Sequence, residues 1–165
     1  PFMNHYFLIV VDAFSTWLEV IEVNKITSQR TIVELRNIFS RFGLPWTLVS
    51  DNGTQFTSHE FQVFLKMNGI NHKVTAPYHP SSNGQVERYV QVVKKGLKAM
   101  MIEPGDINLK LCRLLVQYRK TSHSETKHSP AELLLGRTIR TRLDLMKQNS
   151  TDHLEDKTTN EPQRK

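Results

Sequence analysis

Residues 6–11, Tyr-Phe-Leu-Ile-Val-Val, narrow the folds open to this chain more than any other feature. Six consecutive apolar, β-branched or aromatic residues predict a strand buried on both faces, because an amphipathic helix or a half-solvated strand interrupts such a run with polar positions. Trp17–Val23 follows at hairpin distance, with Asp12–Thr16 as the connection. Its Glu19 and Glu22 mark it as the less buried partner. After Thr27 the period changes. Ile32, Leu35, Phe39 and Phe42 fall at helical spacing, and Gly43 and Pro45 end the run. Thr47–Ser50 reads as a short strand running into the turn Asp51-Asn52-Gly53.

Ser58 is the expected N-cap of a second helix, which carries Phe61, Phe64 and Leu65 and stops at Gly69. Ile70–Thr75 can form another strand. Two prolines, two serines, Asn83 and Gly84 make Ala76–Gly84 a predicted mobile loop. A helix over residues 84–101 then buries Val86, Val90, Val93 and Leu97, and Pro104-Gly105-Asp106 breaks it. Asp106 caps a helix bearing Ile107, Leu111, Leu114 and Tyr118. Ser129-Pro130-Ala131-Glu132 has the cap, the first-position proline and the glutamate of a helix start, and Gly136 ends that helix. Strands at the front and helices interleaved later define a mixed α/β domain. From Gln148 onward a single leucine is the only bulky apolar residue, so residues 146–165 are expected to be a polar, disordered tail behind a domain over residues 1–145. There is no internal repeat.

Hydrophobic residues make up 38% of the 165 positions, enough for a core. Lys and Arg number 22 against 16 acids, a net charge of +6 that is compatible with a polyanionic partner without identifying one. Cys112 is the single cysteine, which excludes an intrachain disulfide and any zinc site built on two or more thiolates. No apolar run approaches the ~20 residues of a membrane span, and no signal peptide is visible. The chain reads as a soluble domain of a reducing compartment. It opens Pro1-Phe2-Met3 and is strand-like within eight residues, so it is expected to be a fragment that continues upstream.

Two acids stand where chemistry could occur. Asp51 directly follows a strand at a glycine-containing turn, and Glu87 lies at the head of a helix, with 35 residues between them. A pair of carboxylates at element ends suits a hard divalent cation such as Mg²⁺; for either acid alone, a solvated turn residue or a dipole-favouring helix acid is the ordinary explanation. At ~100° per residue, Glu87, Gln91, Lys94 and Lys98 form one stripe beside the apolar one, an acid leading into basic charge. Lys94 and Lys98 therefore read either as phosphate contacts or as a plain solvated face. Arg88 and Lys95 fall on the far side.

Leu44-Pro45, Val49-Ser50-Asp51-Asn52-Gly53-Thr54-Gln55-Phe56 and Pro77-Tyr78-His79-Pro80-Ser81-Ser82-Asn83-Gly84-Gln85-Val86-Glu87-Arg88 together resemble the integrase core of gypsy-type LTR retrotransposons, and more distantly retroviral integrases. Tyr118-Arg119-Lys120-Thr121, residues 129–137 and Arg140-Thr141-Arg142-Leu143-Asp144 extend the similarity to about residue 145. The resemblance implies a ribonuclease H-like fold, a five-stranded mixed sheet flanked by helices. It implies two Mg²⁺ or Mn²⁺ ions held by two Asp and one Glu, which trim retroelement DNA 3′ ends and join them to target DNA. On that pattern Asp51 is the second catalytic Asp, Glu87 the glutamate, and residues 76–84 the active-site loop, with Tyr78 and Asn83 near the DNA end and His79 within reach of a phosphate. Gln91, Lys94 and Lys98 would follow the DNA. Action as a homo-oligomer in the nucleus, without a membrane, is implied by the same resemblance.

Asp12 is tempting as the first catalytic Asp, but it matches a non-catalytic Asp in the family's V-D-x-x-S turn, and the true position falls about three residues before Pro1. The first strand is accordingly expected to be missing or truncated, and the isolated chain to bind metal weakly and to be inactive. The scattered histidines, His5, His59 and His72 among them, show no ligand spacing and read as surface or loop residues. Two other readings stay open: a catalytically dead, host-retained module that binds nucleic acid or protein, and a ribonuclease H-like nuclease of another kind.

Overall fold

A computed structural model describes residues 1–75, 80–124, 126–142 and 144–146, with the backbone alone for residues 80–85. Of the expected tail over residues 146–165 only Met146 is described, and it is helical; the rest lies outside the described residues. The elements are β1 (Tyr6–Val11), β2 (Leu18–Val23), α1 (Ser28–Phe42), β3 (Thr47–Ser50), α2 (Thr54–Thr57), α3 (His59–Met67), β4 (Asn71–Val74), α4 (Pro80–Ala99), α5 (Ile107–Lys120) and α6 (Pro130–Leu135). β1 and β2 pair antiparallel, Tyr6 opposite Val23 and Val11 opposite Leu18. β3 and β4 pair in parallel, Thr47 opposite Asn71 and Ser50 opposite Val74. In place of one five-stranded sheet, the described residues thus form two two-stranded sheets.

Two apolar clusters hold these pieces. Ile32, Leu35 and Ile38 of α1 meet Phe61, Phe64 and Leu65 of α3, with Val10, Ile21 and Leu48 from both sheets packed against them. Leu18 and Val20 meet Tyr89, Val93 and Leu97 of α4 and Leu111, Leu114, Leu115 and Tyr118 of α5, with Phe7, Ile9 and Val11 alongside. Both faces of β1 therefore pack on helices, yet all six of its residues are only half-buried. The expected full burial fails because β1 hydrogen-bonds a neighbour along one edge alone among the described residues.

The expected order of burial in the hairpin is reversed: β2 is the more buried strand. The cause is long-range charge compensation. Glu19 is 7% exposed, and its carboxylate accepts from Trp17 Nε1 at 3.0 Å, pairs with Arg119 at 3.2 Å and lies 3.5 Å from Arg41. The Arg119 guanidinium also donates to the Leu18 carbonyl and lies over the Trp17 ring, 4.2 Å from its centroid. Charge-assisted bonds and a cation–π contact together satisfy a polar group inside an apolar layer.

Local signals set most boundaries. Thr27, Ser58, Asp106 and Ser129 each accept a bond from a backbone N–H in the first turn of the helix that follows, and Ser129 with Glu132 completes a capping box. Gly43 and Gly136 follow α1 and α6 at positive φ. Three expectations need correction. α2 is a turn of helix that the apolar spacing does not reveal. α4 begins at Pro80, so half of the loop assigned to residues 76–84 is helix; a proline at the first helical position loses no hydrogen bond and supplies a suitable φ. The remainder, residues 76–79, lies outside the described residues. The buried stripe of α4 is Tyr89, Val93 and Leu97, while Val86 is exposed and Val90 half-buried. The stripe faces β2 and α5, and α5 packs so closely that a Cβ at Gly96 would fall 2.4 Å from Leu114 Cδ1. Asp144 links the end of α6's following segment to α5, accepting from Lys120 Nζ, Thr141 N and Thr141 Oγ1.

Glu19→Ala leaves Arg119 without its buried partner and is expected to cost about 3 kcal/mol in denaturant unfolding; a loss below about 1 kcal/mol would show that solvent replaces the carboxylate. The Lys120 and Thr141 bonds hold the Asp144 carboxyl well below its ordinary pKa of 3.8. Its contribution to stability is therefore complete above that ordinary value and fades as the pH falls through it. Asp144→Asn should lower stability near neutral pH and converge with the unmodified chain as acid is added; a constant offset down to about pH 2 would contradict this.

Candidate metal and nucleic-acid site

Parallel pairing of β3 with β4 decides where Asp51 lies. Both strands end on the same side, and crevices beyond the carboxyl ends of parallel strands are the usual ligand positions in open α/β sheets. Asp51 follows Ser50 directly, beyond that end, and is exposed. Thr75, just past β4, donates to the Ser50 carbonyl from its backbone N at 2.9 Å and its Oγ1 at 3.2 Å, while Asn52 Nδ2 donates to the Thr75 carbonyl at 3.3 Å. Asp51 Oδ1 accepts from Gly53 N at 2.9 Å, which closes the turn. The Asp51-Asn52-Gly53 turn is thus tied to the segment leading toward α4.

Glu87 is exposed near the start of α4, and Gln91 and Lys98 are exposed further along it. Lys94 is half-buried and shares a cleft of about 170 Å³ with Pro1, Phe2, His5, Tyr6, Phe7 and Val90. A long cationic side chain can place its stem in such a cleft while its head stays in water, which suits either of its two readings. Asn83 belongs to the backbone of α4, but its side chain, like Tyr78 and His79, lies outside the described residues.

Among the described residues, Asp51 and Glu87, like Glu60, are exposed acids in no ion pair. Glu19, Glu34, Glu103 and Asp144 pair with Lys or Arg, Glu22 bonds His5, and Asp106 and Glu132 cap helices. Asp12 is occupied structurally, its Oδ2 accepting from Ser15 N at 2.8 Å and Ser15 Oγ at 2.6 Å inside the β1–β2 turn. No group of three or more His, Cys, Asp or Glu able to hold a metal occurs among the described residues. The chemistry of the free donors, carboxylate oxygen only, fits a hard divalent cation.

His72 was expected on the surface with no assigned partner, yet it touches the Asp51 segment. It sits on β4, half-buried, with Ser50 Oγ 2.9 Å from its Nε2 and Gln62 Nε2 2.9 Å from its Nδ1. The missing information is register: Leu48 lies opposite His72, and no local sequence signal reports which residues two parallel strands align.

The mixed α/β core is that of the ribonuclease H-like fold of integrase catalytic cores. Residues 2–80 match the integrase core domain family. An uncharacterized protein of Caenorhabditis elegans, K02A2.6, is 43% identical over 148 residues, 88% of this chain and 12% of that protein. The Gag-Pol polyprotein of baboon endogenous virus is 37% identical over 134 residues, 79% of this chain and 8% of the polyprotein. The chain thus spans a small part of the curated relatives that it matches. Among solved structures, the catalytic core domain of BIV integrase has a TM-score of 0.70 at 26% identity, covering 82% of this chain and 88% of that one. The HTLV-2 integrase catalytic core in complex with magnesium, trimeric form, has a TM-score of 0.67 at 24% identity, covering 79% and 84%.

Asp51→Asn keeps an oxygen acceptor for Gly53 N while removing the charge, so it should change unfolding free energy by less than about 0.5 kcal/mol. Asp51→Ala removes the acceptor and should cost about 1 kcal/mol. Equal losses in the two variants would show that the bond to Gly53 N does not hold the turn.

Proposed function

We propose that this chain is the catalytic core of a DNA integrase from a gypsy-type retroelement polyprotein, with Asp51 and Glu87 as metal-holding catalytic residues. The observation that carries the reading is the pair of exposed carboxylates, free of cationic partners among the described residues, at these two positions of an integrase core. A bound Mg²⁺ or Mn²⁺ pair supplies the activation of water or a DNA 3′-hydroxyl for attack on phosphorus and stabilises the leaving oxygen. Asp51 and Glu87 contribute oxygen donors of the right hardness and the negative charge that draws the cations in. Magnesium in the HTLV-2 core supports this choice of cation.

On this reading Gln91, Lys94 and Lys98 lie along the DNA beside Glu87, and Tyr78 and Asn83 approach the DNA end. Both the trimmed retroelement end and the target are DNA, so phosphate contacts dominate affinity and weaken with salt. Action as a homo-oligomer in the nucleus belongs to the same reading; the HTLV-2 core occurs in dimeric and trimeric forms. No helix among the described residues is long and apolar enough to cross a membrane. The Asp12 carboxylate is committed to Ser15 and takes no metal-holding role on this reading.

Expressed in the complete reading frame that encodes this core, the protein should join retroelement DNA ends to a target plasmid in Mg²⁺. Asp51→Asn and Glu87→Gln should each lower that activity by about 10⁴-fold while leaving DNA binding in place. Joining that survives either substitution contradicts the site. DNA binding with no joining in the unsubstituted protein would instead favour a retained binding module.

A further inference from the structure

The Asp51 turn is reached by a hydrogen-bond chain that starts on α3. Gln62 Nε2 donates to the Phe56 carbonyl at 3.0 Å, and because a carbonyl can only accept, this bond fixes the orientation of the Gln62 amide. The second hydrogen of the same nitrogen then faces His72 Nδ1 at 2.9 Å, which must accept. A neutral imidazole that accepts at Nδ1 carries its proton on Nε2, and that N–H meets Ser50 Oγ at 2.9 Å. The Ser50 hydroxyl, accepting there, directs its own hydrogen to the Asp51 carbonyl at 2.9 Å. Every member of the chain has one compatible donor direction, from α3 through β4 to the residue after β3.

The ring is held for this task. Its edge packs on Phe61, with centroids 5.5 Å apart and an interplanar angle of 68°, and Phe61 is fully buried. Burial keeps the His72 pKa below 6.5, which favours the neutral form that the chain of bonds requires.

We propose that His72 is a positioning residue for the metal-holding turn: through Ser50 it fixes the Asp51 carbonyl, while Gly53 N fixes the Asp51 carboxylate, so that the free carboxylate oxygen is aimed before a cation arrives. This rests on the reading of Asp51 as a metal ligand. Groups that orient a metal ligand without touching the metal commonly alter affinity by 10- to 100-fold when removed.

The test titrates Mn²⁺ into the ¹⁵N-labelled 165-residue chain and follows paramagnetic broadening of the Asn52, Gly53 and Thr54 amides, a readout independent of strand joining. His72→Phe keeps the aromatic packing on Phe61 but removes both ring nitrogens, and it should weaken Mn²⁺ binding by at least about tenfold. His72→Gln returns a donor to the Nε2 position and should recover most of the affinity. Equal weakening in the Phe and Gln variants, or no weakening in either, overturns the proposal. If His72→Phe fails to fold, Ser50→Ala removes the next link without touching Phe61, and unchanged Mn²⁺ binding in that variant overturns the proposal equally. Asp51→Asn separates the two levels. If it abolishes the broadening while the His72 variants do not alter it, the site stands and the positioning role falls; if it leaves the broadening intact, the site assignment itself falls.

Discussion

Parallel pairing of β3 with β4 is the constraint on which the chemistry of this molecule depends. Two parallel strands cannot be joined by a tight turn, so the chain must cross over through α2 and α3 before it returns as β4. That crossover delivers Phe61, Phe64 and Leu65 to the cluster that also receives Leu48, fixing the strands to the helices on one face. It also brings both strand ends to one side, where Thr75 grips the Ser50 carbonyl and Asp51 is left facing solvent. An antiparallel arrangement of the same residues would send the end of β4 away from Asp51 and leave the turn without the Thr75 bonds to Ser50 and Asn52.

The second half of the molecule is anchored differently. α4 and α5 approach closely enough to require glycine at position 96, and α5 reaches back to the hairpin through Arg119 and Tyr118, which bond the Leu18 and Thr16 carbonyls. Glu19 is the pivot. It is buried only because Arg119, Arg41 and Trp17 converge on it. Removing any one partner would strand charge in an apolar layer, so the motif Tyr118-Arg119-Lys120-Thr121 is structural: Arg119 secures β2, and Lys120 secures the segment after α6 through Asp144 and Thr141.

What the sequence makes legible follows the range of the forces involved. Helix caps at Ser58, Asp106 and Ser129 depend on residues three positions away, and each is where local pattern puts it. The β1 run and the strands on either side of α3 are equally local. Glu19 is misread as a solvated position because its chief partner is a hundred residues distant in sequence. Tyr89 is missed as a core residue because its cluster partners come from β2 and α5, far away in sequence, and periodicity alone favours Val86. Within the site, Asp51 and Glu87 are visible as motif residues, whereas the bonds of His72 to Ser50 and Gln62 emerge only from strand register. Asp12 shows the converse. It has the type and position of a ligand, and its carboxylate is spent on the Ser15 turn.

The assignment of Asp51 and Glu87 to one metal centre requires that a single cation join them. Crystals of the chain soaked in Mn²⁺, with diffraction recorded above the manganese absorption edge, would locate the ion by its anomalous scattering. A peak is expected in direct contact with carboxylate oxygens of both Asp51 and Glu87. A peak at Asp12, or one that touches neither of these two residues, would contradict it.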